Sequence, residues 1–585
     1  MTAAHLPDNA PFAPNAIAQL NSVIGPATAT QRAWLSGFLA GMEAGNTAGS
    51  SLAAAPPAAK QKLTILFATE SGNSEALATA TKRDAGRLGF AAKTLDAADA
   101  TPAGLSQAGT LLVIASTWGE GEAPQRATRF LTELMDPAAP RLDGLRYAVL
   151  ALGDRAYAQF CETGRQIDAR LEALGATRAA PLLEADLDYE QPAAAWLATT
   201  LPGLRAAPID ASVIHVDFGA PAATTISKAN PFAAELTELQ NLNSSRSGKQ
   251  TFHVELSLAG SGITYQPGDA IGVVPQNDPR VVEDVLATVG LSGDDALHEA
   301  LATRHDIATL TGHFLKQLSE LAGDRRLLDL VADKDALADY TKGRQVIDAL
   351  RDHTPRLQPD QLLQLLRPLP PRLYSVASSQ RAVPDEAHLL VAAVRYTAHG
   401  TPRGGVASTW LADHRRVGDT VPLYVKPNAH FRLPEDGDVP LIMVGPGTGV
   451  APFRAFLQDR DESGAKGKTW LFFGDRHYTH DFLYQLEWQD YLKRGVLNRL
   501  DVAFSRDQDA KVYVQHRILE RAAELHSWLQ EGARIYVCGD QAHMAKDVHA
   551  ALRTVIARGS NFSDERAEAE LTALRAQGRY LQDVY

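Results

Sequence analysis

A chain of 585 residues, 45% of them hydrophobic and 22% charged, is too long for one hydrophobic core and divides into roughly three or four folding units. With 57 Lys+Arg against 69 Asp+Glu, the net charge of -12 gives the surface as a whole no electrostatic reason to hold nucleic acid or an anionic membrane. Two cysteines, Cys161 and Cys538, exclude a disulfide framework and suit a reducing compartment.

The N-terminus lacks a basic start followed by an apolar core, and no stretch approaches the roughly 18 apolar residues of a membrane span, so a cytoplasmic protein is expected. Trp34, Phe38 and Met42 recur every fourth residue and predict one apolar face of a short helix. An Ala/Pro/Ser/Gly-rich linker follows, which makes residues 1–60 a tethered helix. Such a helix cannot bury its face alone. Either it meets a partner or another copy of the chain, giving a homo-oligomer, or it docks on its own chain.

From Lys62 the sequence alternates apolar strands (LTILFA, TLLVIAS, YAVLALG) with helix-compatible stretches, which predicts a parallel sheet covered on both faces over residues 61–204. Residues 61–200 hold 13 Lys+Arg and 18 Asp+Glu, about twice the net charge density of the remainder. Its loops concentrate acids: Glu120 and Glu122, then Glu184, Asp186, Asp188 and Glu190. These form either a solvated rim or a docking face for a basic partner.

The first strand runs through Thr69, Glu70, Ser71, Gly72, Asn73 and Ser74 into a helix. Hydroxyls, a glycine and the open N–H groups of a helix start make a phosphate cradle. The repeated glycines of a dinucleotide turn and the Gly-Lys-Ser/Thr of a triphosphate loop are both missing, which leaves a monophosphate and suggests FMN. The next two strand ends carry Ser116, Thr117, Trp118 and Gly119, then Leu152, Gly153, Asp154, Arg155, Tyr157, Phe160 and Cys161. An aromatic residue in each loop, on one edge of the sheet, suits a planar ring held between two faces.

These three loops resemble a flavodoxin-type FMN domain. With the modules that follow, the chain resembles the diflavin reductases, and among them the flavoprotein components of assimilatory NADPH-sulfite reductases, over residues 60–585. Many members have Gln or Tyr where Trp118 stands. The resemblance implies an α/β multidomain protein: a flavodoxin-like FMN domain, an antiparallel β-barrel FAD domain with a helical insertion, and a ferredoxin-reductase-like NADP domain.

Residues 205–230 are small and Pro-containing and read as a hinge. Strand patterns return over 231–438, interrupted by a Leu-rich helical stretch at about 278–366. Arg372, Leu373, Tyr374 and Ser375 follow Pro370-Pro371, and Gly405, Val406, Ala407 and Ser408 open a helix about 30 residues later. A guanidinium and a helix start read as an anion site in a barrel. The resemblance makes it the FAD site, with Leu390, Val391, Ala392 and Tyr396 at adenine and flavin contacts.

The α/β alternation resumes over 439–585. Val444–Arg454, with Gly447 and Thr448, follows a strand and opens a helix, a loop that lets a backbone approach a pyrophosphate. Ser505 and Arg506, then Lys511, Val512, Tyr513, Val514 and Gln515, supply cations and donors suited to a 2′-phosphate, hence NADPH over NADH. Asp547 lies on the helix after the next strand. By resemblance, Ser375, Cys538 and Asp583 surround the hydride path as catalytic residues, and the terminal Tyr585 covers the FAD ring and must swing aside for nicotinamide.

The implied activity passes electrons from NADPH to FAD, then FMN, then a hemoprotein. The implied acceptor is the sulfite reductase hemoprotein (beta) component with its siroheme and iron–sulfur cluster, in sulfite-to-sulfide reduction for sulfur assimilation and cysteine biosynthesis. Two cysteines cannot supply the four thiolates such a cluster usually takes, so that chemistry belongs to a second chain. No metal site is expected here. The alternatives are a diflavin reductase serving a cytochrome P450 or another haem acceptor, and a flavin-storage or scaffold protein without turnover.

Overall fold

The computed structural model describes residues 60–70, 72–118, 121–157, 159–205 and 226–585. The expected N-terminal helix, most of the 205–230 hinge, Ser71, Gly119 and Glu120 lie outside the described residues.

The first module is built on β1 (Gln61–Ala68), β2 (Phe90–Asp96), β3 (Thr110–Ser116), β4 (Arg146–Leu152), β5 (Thr177–Arg178) and β6 (Leu183–Ala185). All pairings are parallel, in the order β2-β1-β3-β4-β5 with β6 also on β4. Successive residues of β1 and β3 face opposite sides, so both faces must be covered. Leu63, Ile65 and Phe67 pack under α1 (Asn73–Arg87), while Leu66 and Ala68 pack with α2 (Thr128–Met135) and α3 (Glu162–Ala173). A further helix, α4 (Glu190–Gly203), covers the first face. This winding leaves the loops after β1, β3 and β4 on one edge, where an open α/β sheet binds its ligand.

The second module pairs β7 (Phe232–Asn241), β8 (Thr251–Ser257), β9 (Ala270–Val273), β10 (Arg372–Ser375), β11 (Glu386–Ala392) and β14 (Thr420–Lys426) antiparallel, in the order β10-β9-β14-β7-β8-β11. A bridge between Val376 and Leu389 joins the two outer strands. Between β9 and β10 the chain runs through helices from Pro279–Val289 to Pro359–Leu365, which share a core of Leu and Val side chains. A hairpin of β12 (Arg395–Ala398) and β13 (Thr401–Gly404) leads into α5 (Val406–His414).

The third module is a parallel sheet of order β17-β16-β15-β18-β19, formed by Leu441–Val444 (β15), Thr469–Asp475 (β16), Arg499–Phe504 (β17), Arg534–Gly539 (β18) and Tyr580–Val584 (β19). One face packs on α6 (Ala451–Ser463) and α7 (Gln485–Arg494), the other on α8 (Val514–Glu520), α9 (Lys546–Ser560) and α10 (Asp564–Ala576). Close packing at the switch between β15 and β18 needs glycine: a Cβ on Gly449 would stand 2.1 Å from the Cys538 carbonyl oxygen. No helix among the described residues is long and apolar enough to cross a membrane.

Candidate functional site

One cavity of about 2000 Å3 is lined by all three modules. From the first come Glu70, Asn73, Ser116, Thr117, Trp118, Leu152, Gly153, Asp154, Tyr157, Phe160 and Cys161. From the second come Arg372, Leu373, Tyr374, Ser375, Leu390, Ala392 and Gly405 to Ser408, and from the third Thr448, Asp583 and Tyr585.

At the first end, Gly72 takes a left-handed conformation (φ 79°), a turn glycine makes at no steric cost, and the chain enters α1 directly. The buried hydroxyls of Thr69 and Ser74 have no hydrogen-bond partner among the described residues. Buried polar atoms are rarely left unpaired. Two orphaned hydroxyls beside open helix-start amides are the donor set a phosphate monoester satisfies, so these residues fit FMN. Glu70 braces this turn to the neighbouring loop by accepting from the Gln125 amide at 2.8 Å, and burial raises its pKa above the usual carboxylate range.

The ring loops are held just as locally. Ser116 donates to the Ala68 carbonyl at 3.2 Å, Thr117 accepts from the Thr163 amide at 3.0 Å, and Trp118 forms a two-bond bridge with Glu122. Trp118 and Tyr157 face the same cavity, with Tyr157 about half exposed. Trp118 Nε1 is also buried without a partner among the described residues. Arg155 does not line the cavity. It lies over the Phe160 ring at 4.4 Å and pairs with Asp186. Cys161 is buried and left-handed (φ 57°), and burial pushes its thiol up to about 12.

Around the second module's share, Arg372 is exposed, lines the cavity and is unpaired among the described residues, and the first turn of α5 lines the same cavity. A cation and free helix-start N–H groups in one cavity fit the pyrophosphate of FAD. Ser408 serves the backbone, accepting from the Val394 amide at 3.1 Å and donating to the Gly405 carbonyl at 3.2 Å. Leu390 and Ala392 face the cavity, but Val391, between them, turns into the core of the antiparallel sheet. Tyr396 stands exposed on the β12–β13 hairpin and does not line the cavity.

Ser375 Oγ donates to Asp583 Oδ2 at 2.8 Å, and Cys538 Sγ lies 3.9 Å from the same oxygen. Burial raises the Asp583 carboxyl, and burial together with that carboxyl pushes the Cys538 thiol well above its ordinary range. A thiol so held stays neutral, which removes it as a nucleophile and leaves a packing and hydrogen-bonding role. Tyr585 OH is 3.0 Å from Thr448 Oγ1, and its amide donates to the Gly539 carbonyl at 3.0 Å, so the final strand carries the ring to the cavity.

The remaining nucleotide residues do not line the cavity; Ser505 to Tyr513 lie in the loop from β17 to α8, with Val514 and Gln515 opening α8. Arg506, Lys511 and Tyr513 are exposed, and neither cation is paired among the described residues. Ser505 donates to the Asp475 carbonyl at 3.3 Å, and Gln515 donates to Asp547 at 2.9 Å. Val512 is partly buried and Val514 buried, both packed in the sheet's core, and Gly447 lies in the turn that opens α6.

Three features are not visible from sequence spacing. Arg367 from the second module bridges Asp154 at 2.5 Å and Asp306 at 2.9 Å. His430 sits between Arg126 and Glu75, and Lys426 donates to Asn73. Three of the loop acids are also engaged within the chain: Glu184 with Arg165, Asp186 with Arg155 and Asp188 with Lys228.

The chain matches the Flavodoxin family over residues 65–196, the FAD binding domain over 224–301 and 295–410, and the Oxidoreductase NAD-binding domain over 443–550. It is 45% identical over 604 residues to the sulfite reductase (NADPH) flavoprotein alpha-component of Bacillus subtilis, covering 99% of each chain. It is 46% identical over 583 residues to that of Vibrio cholerae, covering 97% of this chain and 95% of the relative. With that of Aliivibrio fischeri it shares 44% over 587 residues, 97% of each.

Proposed function

The chain belongs to the family of sulfite reductase (NADPH) flavoprotein alpha-components, within the diflavin reductases, and from that premise we propose how its residues serve an NADPH-to-hemoprotein electron path. The observation that carries the reading is the single cavity lined by both flavin-type sites and by Thr448, Asp583 and Tyr585. The flavins supply the conversion of a two-electron hydride donor into one-electron deliveries.

Everything else falls to the chain. Thr69, Ser74 and the start of α1 hold the FMN phosphate, and Trp118 and Tyr157 cover the ring. Arg372 and the start of α5 hold the FAD pyrophosphate. Arg506 and Lys511, unpaired among the described residues, select the 2′-phosphate of NADPH. Hydride transfer needs alignment more than acid–base chemistry. Ser375, Cys538 and Asp583 therefore act as a hydrogen-bonded group that shapes the hydride path, and Tyr585 occupies the nicotinamide position until substrate displaces it.

We read the six antiparallel strands, bridged at Val376 and Leu389, as the FAD barrel and residues 278–366 as its helical insertion. The proposed boundaries are 61–204, 231–438 and 439–585, with residues 1–60 serving oligomerisation. The partner is the sulfite reductase hemoprotein, and two free, buried cysteines suit a cytoplasmic setting. Mixing the purified chain with that hemoprotein tests the reading: NADPH should drive sulfite to sulfide only when both are present. Failure there, with rapid reduction of a P450 haem, would transfer the protein to the rival class.

A further inference from the structure

Arg454 ends the glycine-rich loop, and the reading above leaves it without a role. It sits in α6, one turn beyond the turn at Gly447–Val450, and is buried. Its Nη1 donates to the Ala377 carbonyl at 2.7 Å and to His388 Nδ1 at 3.2 Å, its Nε donates to Glu487 at 2.7 Å, and the cation lies 4.9 Å from the Tyr484 ring centroid. Ala377 and His388 belong to the antiparallel module, Glu487 and Tyr484 to the parallel one. A buried guanidinium survives only where its donors are met, and here they are met from both sides of the module boundary.

These donors also settle the neighbouring histidines. Arg454 can only donate, so His388 accepts at Nδ1 and carries its proton on Nε2, directed at Glu386 (2.9 Å). Tyr484 OH lies 2.9 Å from His253 Nδ1, and His253 Nε2 lies 3.0 Å from Glu255. His253, Glu255 and His388 bring one ligand atom each within 4.8 Å, a spacing that a divalent cation accepts. A cation on His388 Nε2, however, would require a proton on Nδ1, facing the Arg454 donor. The arrangement is a hydrogen-bonded hub, not a metal centre.

We propose that Arg454 is a positioning residue for the hydride site, closing a ring of contacts that holds the dinucleotide turn against the segment carrying Ser375. From Arg454 the ring passes down α6 to Gly449, whose backbone packs on the Cys538 carbonyl. Cys538 and Ser375 meet at Asp583, and two residues beyond Ser375 the Ala377 carbonyl returns to Arg454. Each link joins one module to the other or spans one of them, so Arg454 is where the relative placement of nicotinamide and flavin sites is fixed. The cations assigned to the 2′-phosphate lie outside this ring. Loosening it therefore affects alignment, to which transfer rates are steeply sensitive, and spares nucleotide affinity. This inference rests on the NADPH-to-flavin reading.

The test uses the full flavin-loaded chain with Arg454→Lys and Tyr484→Phe. It measures 2′,5′-ADP binding by calorimetry, flavin reduction by NADPH in rapid mixing, and hydrogen exchange of residues 375–390. For Arg454→Lys the reduction rate should fall roughly 10-fold or more. Affinity for 2′,5′-ADP should stay within about twofold, and the Ala377 amide, which donates to the His388 carbonyl, should exchange faster. Tyr484→Phe should show the same pattern more weakly. Rates within about twofold of the parent in the folded variants, or equal losses of rate and affinity, would overturn the role. If Arg454→Lys does not fold, Tyr484→Phe alone decides. A parent protein whose flavins NADPH does not reduce would defeat the functional reading instead.

Discussion

Thr69 and Ser74 allow a test in which the same substitution is expected to have opposite effects on two quantities. Thr69 is 3% exposed and Ser74 fully buried, and neither hydroxyl has a partner among the described residues. An unsatisfied buried polar group costs about 1–3 kcal/mol, so Thr69→Val and Ser74→Ala, which remove it at similar volume, should leave the flavin-free protein as stable or up to about 1 kcal/mol more stable. In the FMN complex each hydroxyl would donate to a phosphate oxygen, a charge-assisted bond of about 1.5–3 kcal/mol, so FMN should bind roughly 10–100-fold more weakly. Urea unfolding of flavin-free protein gives the first quantity and fluorescence titration with FMN the second. Riboflavin, which lacks the phosphate, should bind the variants as it binds the parent. Unchanged FMN affinity, or flavin-free variants destabilised by more than about 1 kcal/mol, would refute the assignment of these hydroxyls.

Arg506→Ala and Lys511→Ala should each raise the KM for NADPH roughly 10-fold or more and leave that for NADH unchanged, since each removes one charge-assisted contact to a group NADH lacks. Asp154→Ala leaves Arg367 with its partners Asp306 and Thr309 but without its link to the first module, so reduction of a one-electron acceptor should slow while flavin reduction by NADPH in rapid mixing holds its rate. Burial, reinforced by Arg454, pushes His253 down to about 4, and His388 is lowered for the same reasons. The unfolded chain therefore binds the extra proton between pH 6.5 and 4, so stability is full above 6.5 and falls as pH drops through that window. His253 alone contributes about 3 kcal/mol to the loss, read as a lower thermal midpoint at pH 5 than at pH 7.5 that His253→Asn reduces.

What the sequence revealed is what is local in the chain. The FMN cradle lies within Thr69–Ser74, where one glycine and three hydroxyl residues stand within six positions, so residue types alone point to a phosphate. Ser375 and Asp583 stand 208 residues apart, and their hydrogen bond exists only because β10 and β19 meet across two modules. Resemblance placed them together, whereas spacing had no means to. Val391 shows another limit: strand alternation in β11 turns Leu390 and Ala392 toward the cavity and the Val391 side chain into the core, a pleat that residue types read singly do not display. The loop acids leave a solvated rim and a docking face both open in the sequence because the pairing of Glu184, Asp186 and Asp188 with Arg165, Arg155 and Lys228 is set by the fold. Arg454 carried no signal beyond its place after a glycine loop.

That one chain carries both flavins and draws on NADPH is tested by flavin release from the purified protein, coupled to anaerobic reduction by either nicotinamide nucleotide. Equimolar FMN and FAD are expected, with rapid reduction of both by NADPH and little by NADH. Release of a single flavin, or equal reduction by the two nucleotides, would contradict it.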